Sequence, residues 1–395
     1  MLSAVSLNGL SRSIEEDAPE IALLVNPLNA QARVNALLTA LNDADAPPPE
    51  QLLDTAVSGL TTSPVDARFH SLLAELRLRL GEEEEAHRLF RQAHRLASTE
   101  IHALQHLFVH AVENGDYAEA IAHMDVLMRR WPARAGALSP LLPQLLSQEG
   151  AYAATAEAMR SGVPWRGWVI AGLARQEEGL GIAYQLLLDL DDSGHPPRPD
   201  EVASVIRGYI TAKHFEDAYR LFRFTLAEEE RALTGFVHNS GFVPVSSTAP
   251  FSWQYRNTRA AEVRLSAEPS SAGATVRFLN APAREVALNQ TLLLPPGRYR
   301  LVTEVDASSL RAPRSLYWQI ECSQPRRSEL LRLAVPEGNY QNRRLEAEFE
   351  VNGCELQRIG LATDVVTDSW QNRYSGHARF HTLTIERIGR AEAEG

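Results

Sequence analysis

The chain has 395 residues, 44% of them hydrophobic and 23% charged, a composition that excludes a disordered or fibrous protein and leaves room for two or three domains. No stretch reaches the ~18 uninterrupted apolar residues a membrane helix needs, and the first twenty residues lack both a basic and an apolar segment of the kind export signals carry. The formal charge of −11 is unevenly spread: residues 1–235 carry 33 acidic and 20 basic groups, whereas residues 236–395 carry 17 and 19. An acidic first part repels nucleic-acid phosphates. Lys213 is the only lysine and lies outside any glycine-rich loop, so Schiff-base or phosphate-loop chemistry has a single, poorly placed candidate.

In chain order, the first pattern is a repeat. Gly81 and Gly115 are 34 residues apart, as are Ala86 and Ala120. This spacing resembles the tetratricopeptide repeat, in which two antiparallel helices place a small side chain at each crossing. Ala74, Ala86, Phe90 and Ala93 fill these roles in one unit; Ala120, Met124 and Pro132 fill them in the next. Gly150 is expected to turn a weaker third unit interrupted by Pro140 and Pro143. Trp168 to Gly172 opens a fourth, and Phe215, Ala218 and Phe222 mark a fifth. Upstream, helical patterns cover 30–42 and 50–60. The segment before Pro27 reads as the second helix of a unit whose first helix is missing, and this predicts a natural chain that begins earlier, with a leader or anchor.

Between 232 and 250 the hydrophobic period changes from 3.6 to 2. Alternating runs at 275–278, 299–305, 315–322, 330–335, 345–351 and 381–388, separated by glycine turns, predict an antiparallel β-sandwich, most plainly a jelly roll. The expected architecture is multidomain α + β: an all-α solenoid over 1–232, a linker and first β segment over 233–250, a sandwich over 236–390 and a tail at 391–395.

Cys322 and Cys354, the only cysteines, each end or follow a predicted strand. They are either buried thiols in a reducing compartment or a disulfide in an oxidising one; the disulfide is the expectation here. Asn239-Ser240-Gly241-Phe242 with Phe251 and Trp253, Pro296-Gly297-Arg298-Tyr299, and Gly376 to His381 resemble the opening strand, inner turn and closing strand of galactose-binding-like carbohydrate-binding modules. Joined to the repeats, they resemble bacterial tetratricopeptide repeat proteins of exopolysaccharide synthesis and export, whose sandwich has a similarly placed cysteine pair. The resemblance implies polysaccharide binding and a periplasmic, envelope or secreted location, with the cytoplasm as the alternative. Many relatives have an aspartate where His381 stands, which weakens any calcium site there.

Sugar recognition needs exposed aromatic faces flanked by amide and guanidinium donors. Trp370, Asn372, Arg373 and Tyr374 supply that mixture and form the candidate carbohydrate site, while Trp318 and Trp253 read as core. By repeat position, Arg68, Ser71, Glu75, His102, Gln105 and Val109 would line a groove for a protein partner. Two metal-like patterns are weak. His102, His106 and His110 share a helix face without an accompanying carboxylate, and Asp189, Asp191, Ser193 and Asp200 mimic a calcium loop broken by prolines. No metal or cofactor is expected. Nucleophile elbows, phosphate loops and zinc-protease helices are absent, and nothing selects a catalytic pair among Glu262, Glu304, Glu321 and Asp364. The expected function is a non-enzymatic scaffold with a protein partner on the solenoid and polysaccharide on the sandwich. The alternatives are a glycan-active enzyme and an RNA-binding repeat protein, the latter based on Val205 to Tyr209 and Phe215 to Tyr219 and opposed by the acidic charge.

Overall fold

A computed structural model describes residues 2–43, 47–245 and 247–389; the expected tail at 391–395 lies outside them. The chain is helical as far as Arg231 and forms two antiparallel sheets from Gln254 onward, the architecture that the change of period predicts. It divides into two compact units, one ending at Arg166 and one beginning at Gly167. The break between compact units therefore comes earlier than the change of secondary structure, and the last helix pairs belong to the unit that contains the sandwich.

The first unit contains α1 (Leu2–Ser13), α2 (Pro19–Val25), α3 (Ala30–Asn42), α4 (Pro49–Thr62), α5 (Ala67–Arg79), α6 (Glu83–Leu96), α7 (Ile101–Glu113), α8 (Tyr117–Arg130), α9 (Leu142–Leu146) and α10 (Glu149–Arg160). The 34-residue period is kept at the level of whole helices: α5 and α7 start 34 residues apart, and so do α6 and α8. Ala74, Ala86, Ala93 and Ala120 are buried at the crossings. Each pair is joined by a glycine in the left-handed region, Gly81 at φ 79° and Gly115 at φ 71°. The next backbone N–H then closes the helix end, from Glu82 to the Arg77 carbonyl at 2.9 Å and from Asp116 to the Ala111 carbonyl at 2.8 Å.

Two expectations are corrected here. Two helices, α1 and α2, precede Pro27 instead of one; Asn29 ties them to α3, donating to Ser11 Oγ at 2.8 Å and Glu15 Oε2 at 2.9 Å. Gly150 is not a turn. It sits in the first turn of α10, where a Cβ would come within 2.6 Å of the Tyr117 ring. Pro140 and Pro143 do interrupt this unit, leaving 3-10 turns and the five-residue α9 in place of a full first helix.

The second unit contains α11 (Arg166–Leu173, straddling the boundary), α12 (Glu177–Asp192), α13 (Pro199–Thr211), α14 (Phe215–Phe224), α15 (Glu228–Arg231) and the sandwich. The left-handed helix-ending turn recurs at Gly194, φ 77°, and at Lys213, φ 65°. His195 N–H donates to the Leu190 carbonyl at 2.9 Å and His214 N–H to the Tyr209 carbonyl at 2.8 Å. Lys213 thus occupies a position that glycine holds in three equivalent turns.

The strands are β1 (Gln254–Tyr255), β2 (Ala261–Ser266), β3 (Gly273–Pro282), β4 (Leu288–Leu292), β5 (Gly297–Arg311), β6 (Leu316–Gln324), β7 (Ser328–Ala334), β8 (Gly338–Val351), β9 (Leu356–Thr363) and β10 (Arg373–Gly389). One sheet runs β1-β4-β9-β6-β7 and the other β2-β3-β10-β5-β8. The core between them holds Trp318, with ring centroids 5.0 Å from Phe380 and 5.9 Å from Trp253; both tryptophans are packing residues, as expected. Asn239 to Phe242 forms a turn and not an opening strand. Asn239 and Phe242 have φ of 57° and 56°. The Asn239 amide brackets Val243, accepting from its N–H at 2.9 Å and donating to its carbonyl at 2.6 Å. Cys322 and Cys354 are disulfide-bonded with Cα atoms 5.7 Å apart. The bond ties β6 to the turn before β9 and stabilises by roughly 3–4 kcal/mol for a loop of about this length.

Candidate functional site

The outer face of the first sheet is built from residues far apart in sequence. Strand register places Gln254, Asn289, Gly360, Gln319 and Arg332 in one row across all five strands. Because side chains alternate along a strand, Arg358 and Glu321 lie on the same face one step along. Gly360 leaves the middle of the row open: a Cβ there would stand 3.2 Å from Asn289 Cβ. The result is a trough of about 210 Å³ lined by Arg284, Asn289, Gln319, Glu321, Arg358 and Gly360.

Its polar groups hold one another in place. Arg358 Nε donates to Asn289 Oδ1 at 3.2 Å, and Gln319 Nε2 donates to Glu329 Oε2 at 2.9 Å. Glu321 pairs with Arg327 at 2.9 Å. Arg332 lies 4.0 Å above the Tyr317 ring and pairs with Asp364 at 3.0 Å. Burial pushes the Tyr317 hydroxyl pKa up, and its hydrogen bond to Asp364 adds to the shift. Fixed amide, carboxylate and guanidinium groups of this kind recognise vicinal hydroxyls, each of which donates and accepts.

Trp370 is 72% exposed on the loop between β9 and β10. Asp368 on that loop pairs with Arg284 of the trough at 3.0 Å, so the indole belongs to the loop that abuts one end of the polar face. Asn372 has a different role from the one expected. It is buried, accepts from Arg314 Nε at 3.1 Å and donates to the Thr367 carbonyl at 3.1 Å. With both ends of its amide engaged, it shapes the loop that presents Trp370. Arg373 is exposed at the start of β10.

Tyr374 is corrected outright. It is fully buried, packs against Phe278 with ring centroids 5.3 Å apart and donates its hydroxyl to the Ser315 carbonyl at 2.7 Å. Burial pushes its pKa up to about 12. Alternation explains the difference: Tyr374 is inside the strand, with its ring pointing into the core, whereas Trp370 precedes it on a short 3-10 turn. His381 and Arg379 both reach Asp306 Oδ2, at 2.9 Å and 2.6 Å. Despite some burial, these two groups and the Asn342 N–H hold the Asp306 carboxyl down at about 2. A guanidinium and an imidazole from β10 therefore serve this β5 carboxylate.

On the helices, His102, Gln105 and Val109 are exposed, and Arg68 and Glu75 are half-buried. Ser71 is buried and donates to Glu100, which in turn caps α7 by accepting from the Ala103 N–H at 2.7 Å; it is a structural residue and not a groove contact. His102 stands apart from the other two histidines of its row: His106 stacks on Phe90 at 4.1 Å and His110 on His87 at 3.7 Å. Asp189 and Asp191 lie within the last turn of α12, so they do not form a calcium loop. Of the four carboxylates considered for catalysis, Glu262, Glu321 and Asp364 are paired with Arg277, Arg327 and Arg332.

No protein-family model matches this chain, and no curated protein matches it in sequence. Among solved structures it is similar to a "CBM4" domain, with 13% identity and TM-score 0.30 over 38% of this chain and 99% of that one. It is also similar to a xylan-binding "CBM22-1" domain from Paenibacillus barcinonensis, with 10% identity and TM-score 0.27 over 36% and 87%. A tetratricopeptide repeat protein from Parabacteroides merdae is similar with 15% identity and TM-score 0.30 over 58% and 96%.

Proposed function

We propose that this protein is a non-enzymatic scaffold whose sandwich binds polysaccharide along the polar trough and its Trp370 end, and whose helical repeats hold a protein partner. The observation that carries the sugar half is a large indole left 72% exposed on a loop pinned to a trough of fixed amides and guanidinium groups. An exposed indole of this size keeps apolar surface in water, and packing against a pyranose face would cover it. The non-enzymatic half is supported by the carboxylates: a glycosidase needs an acid kept protonated by apolar surroundings, and three of the four carboxylates considered are instead tied to arginines. The disulfide fits an oxidising compartment, the periplasm, envelope or exterior, and a role in exopolysaccharide synthesis or export is part of this proposal. A glycan array probed with the intact chain tests it. Retention of at least one β-linked polysaccharide supports the reading, and no retention across neutral and acidic glycans overturns it.

A further inference from the structure

A second, larger cleft of about 1050 Å³ lies within the second compact unit, between α14 and one end of the sandwich. One wall carries Lys213, Tyr219 and Arg223, the other Phe236, Pro296 and Glu355, and none of its lining is shared with the trough. The disulfide anchors the second wall, because Cys354 adjoins Glu355.

Three independent features mark this cleft as more than a crevice. The chain's only lysine stands in a left-handed backbone conformation that the equivalent turns at Gly81, Gly115 and Gly194 give to glycine. A side chain kept at such a cost is a pointer to function. Lys213 and Arg223 have no ion-pair partner among the described residues, whereas neighbouring Arg220 is paired with Asp217 at 2.9 Å. Finally, the His238 imidazole is 3% exposed at the cleft wall, and neither ring nitrogen has a hydrogen-bond partner. Desolvation holds its pKa down to about 4, so at neutral pH it offers one unmet donor and one unmet acceptor.

The ligand these groups fit has separate carboxylates for Lys213 and Arg223, which stand at opposite ends of α14, an apolar face for the exposed Phe236 ring, and hydroxyls for His238 and Tyr219. Two hydroxyls, one accepting and one donating, meet the needs of a neutral imidazole. Glu355 and Glu216, also in the cleft, accept from sugar hydroxyls. We propose that this cleft binds a carboxylated oligosaccharide, of the uronic acid class. This rests on the reading that the chain handles polysaccharide, but assigns a separate site and a charge preference to it.

The test measures affinity of the intact chain for polygalacturonate and for the same polymer with its carboxyls reduced to alcohols. Variants Arg223→Gln and Phe236→Ala, both at exposed positions, are compared with Trp370→Ala. The expected result is a tenfold or greater preference for the carboxylated polymer, lost in Arg223→Gln and weakened by salt. Phe236→Ala should weaken both polymers, and Trp370→Ala should leave the preference intact. Equal affinity for the two polymers, or an unchanged preference in Arg223→Gln, overturns the inference. If a neutral glycan is still retained through Trp370, polysaccharide binding by the trough stands without it; if no glycan is retained at all, both readings fall. Arg223-dependent capture of polyglutamate with no uronate binding also overturns it.

Discussion

The imidazoles of His87 and His110 are stacked, with centroids 3.7 Å and planes 20° apart, and His106 lies 5.9 Å from the first of them. This packing between α6 and α7 accounts for a histidine row that could be read as a metal ligand set. The rings are spent on one another and on Phe90.

A pH dependence follows. Burial, then the neighbouring His110, Arg91 and His106, hold the His87 pKa down to about 4, against a partial offset from Glu119; burial and neighbours also lower those of His94 and His106. The facing groups include Glu75 and Glu113 near His106, and His123 with Glu119 near His94. A histidine with a depressed folded pKa binds more protons when unfolded between the two values. Stability is therefore full above about pH 6.5 and falls as pH drops toward 4. Melting of the intact chain from pH 7.5 to 5 should show a declining helical transition. His87→Gln should flatten that decline, and equal slopes in parent and variant would contradict the assignment.

Tyr374→Phe and Trp370→Ala should have opposite phenotypes. Removing the buried hydroxyl leaves the Ser315 carbonyl without its partner and should cost about 1–2 kcal/mol in denaturant unfolding, with glycan retention unchanged. Trp370→Ala should leave stability within about 0.5 kcal/mol.

Lys213→Gly relieves a left-handed conformation and should stabilise by about 1 kcal/mol, visible as a raised midpoint in urea. It should also weaken polygalacturonate binding. A loss of stability would mean that Lys213 is held by native contacts and not merely tolerated.

Replacing Cys322 and Cys354 together by alanine should lower stability by roughly 2–4 kcal/mol. Mass spectrometry of the unreduced parent should show no free thiol.

The period told most of the fold. A 34-residue spacing of Gly81 and Gly115 placed four helices, and the change to alternation located β3, β5, β6, β7, β8 and β10. β1, β2, β4 and β9 escaped notice: β1 and β4 are only two and five residues long, and β9 holds Gly360 in its centre, which breaks the hydrophobic pattern. The trough was illegible for a related reason. Asn289, Gln319 and Arg358 are polar residues on strands that meet only through register, so no local motif contains them. The exposed loop position of Trp370 was legible because its segment is rich in polar residues, and Tyr374 was misplaced because the strand begins between the two. The cleft beside α14 was missed because its signal is a lysine in a backbone conformation that composition does not reveal.

The central claim is that Trp370 presents its face to polysaccharide at the end of the trough. Calorimetric titration of the parent and Trp370→Ala with the neutral glycan selected by the array tests it most directly. At least a tenfold loss of affinity with unchanged melting is expected. Equal affinity in the two proteins would contradict it.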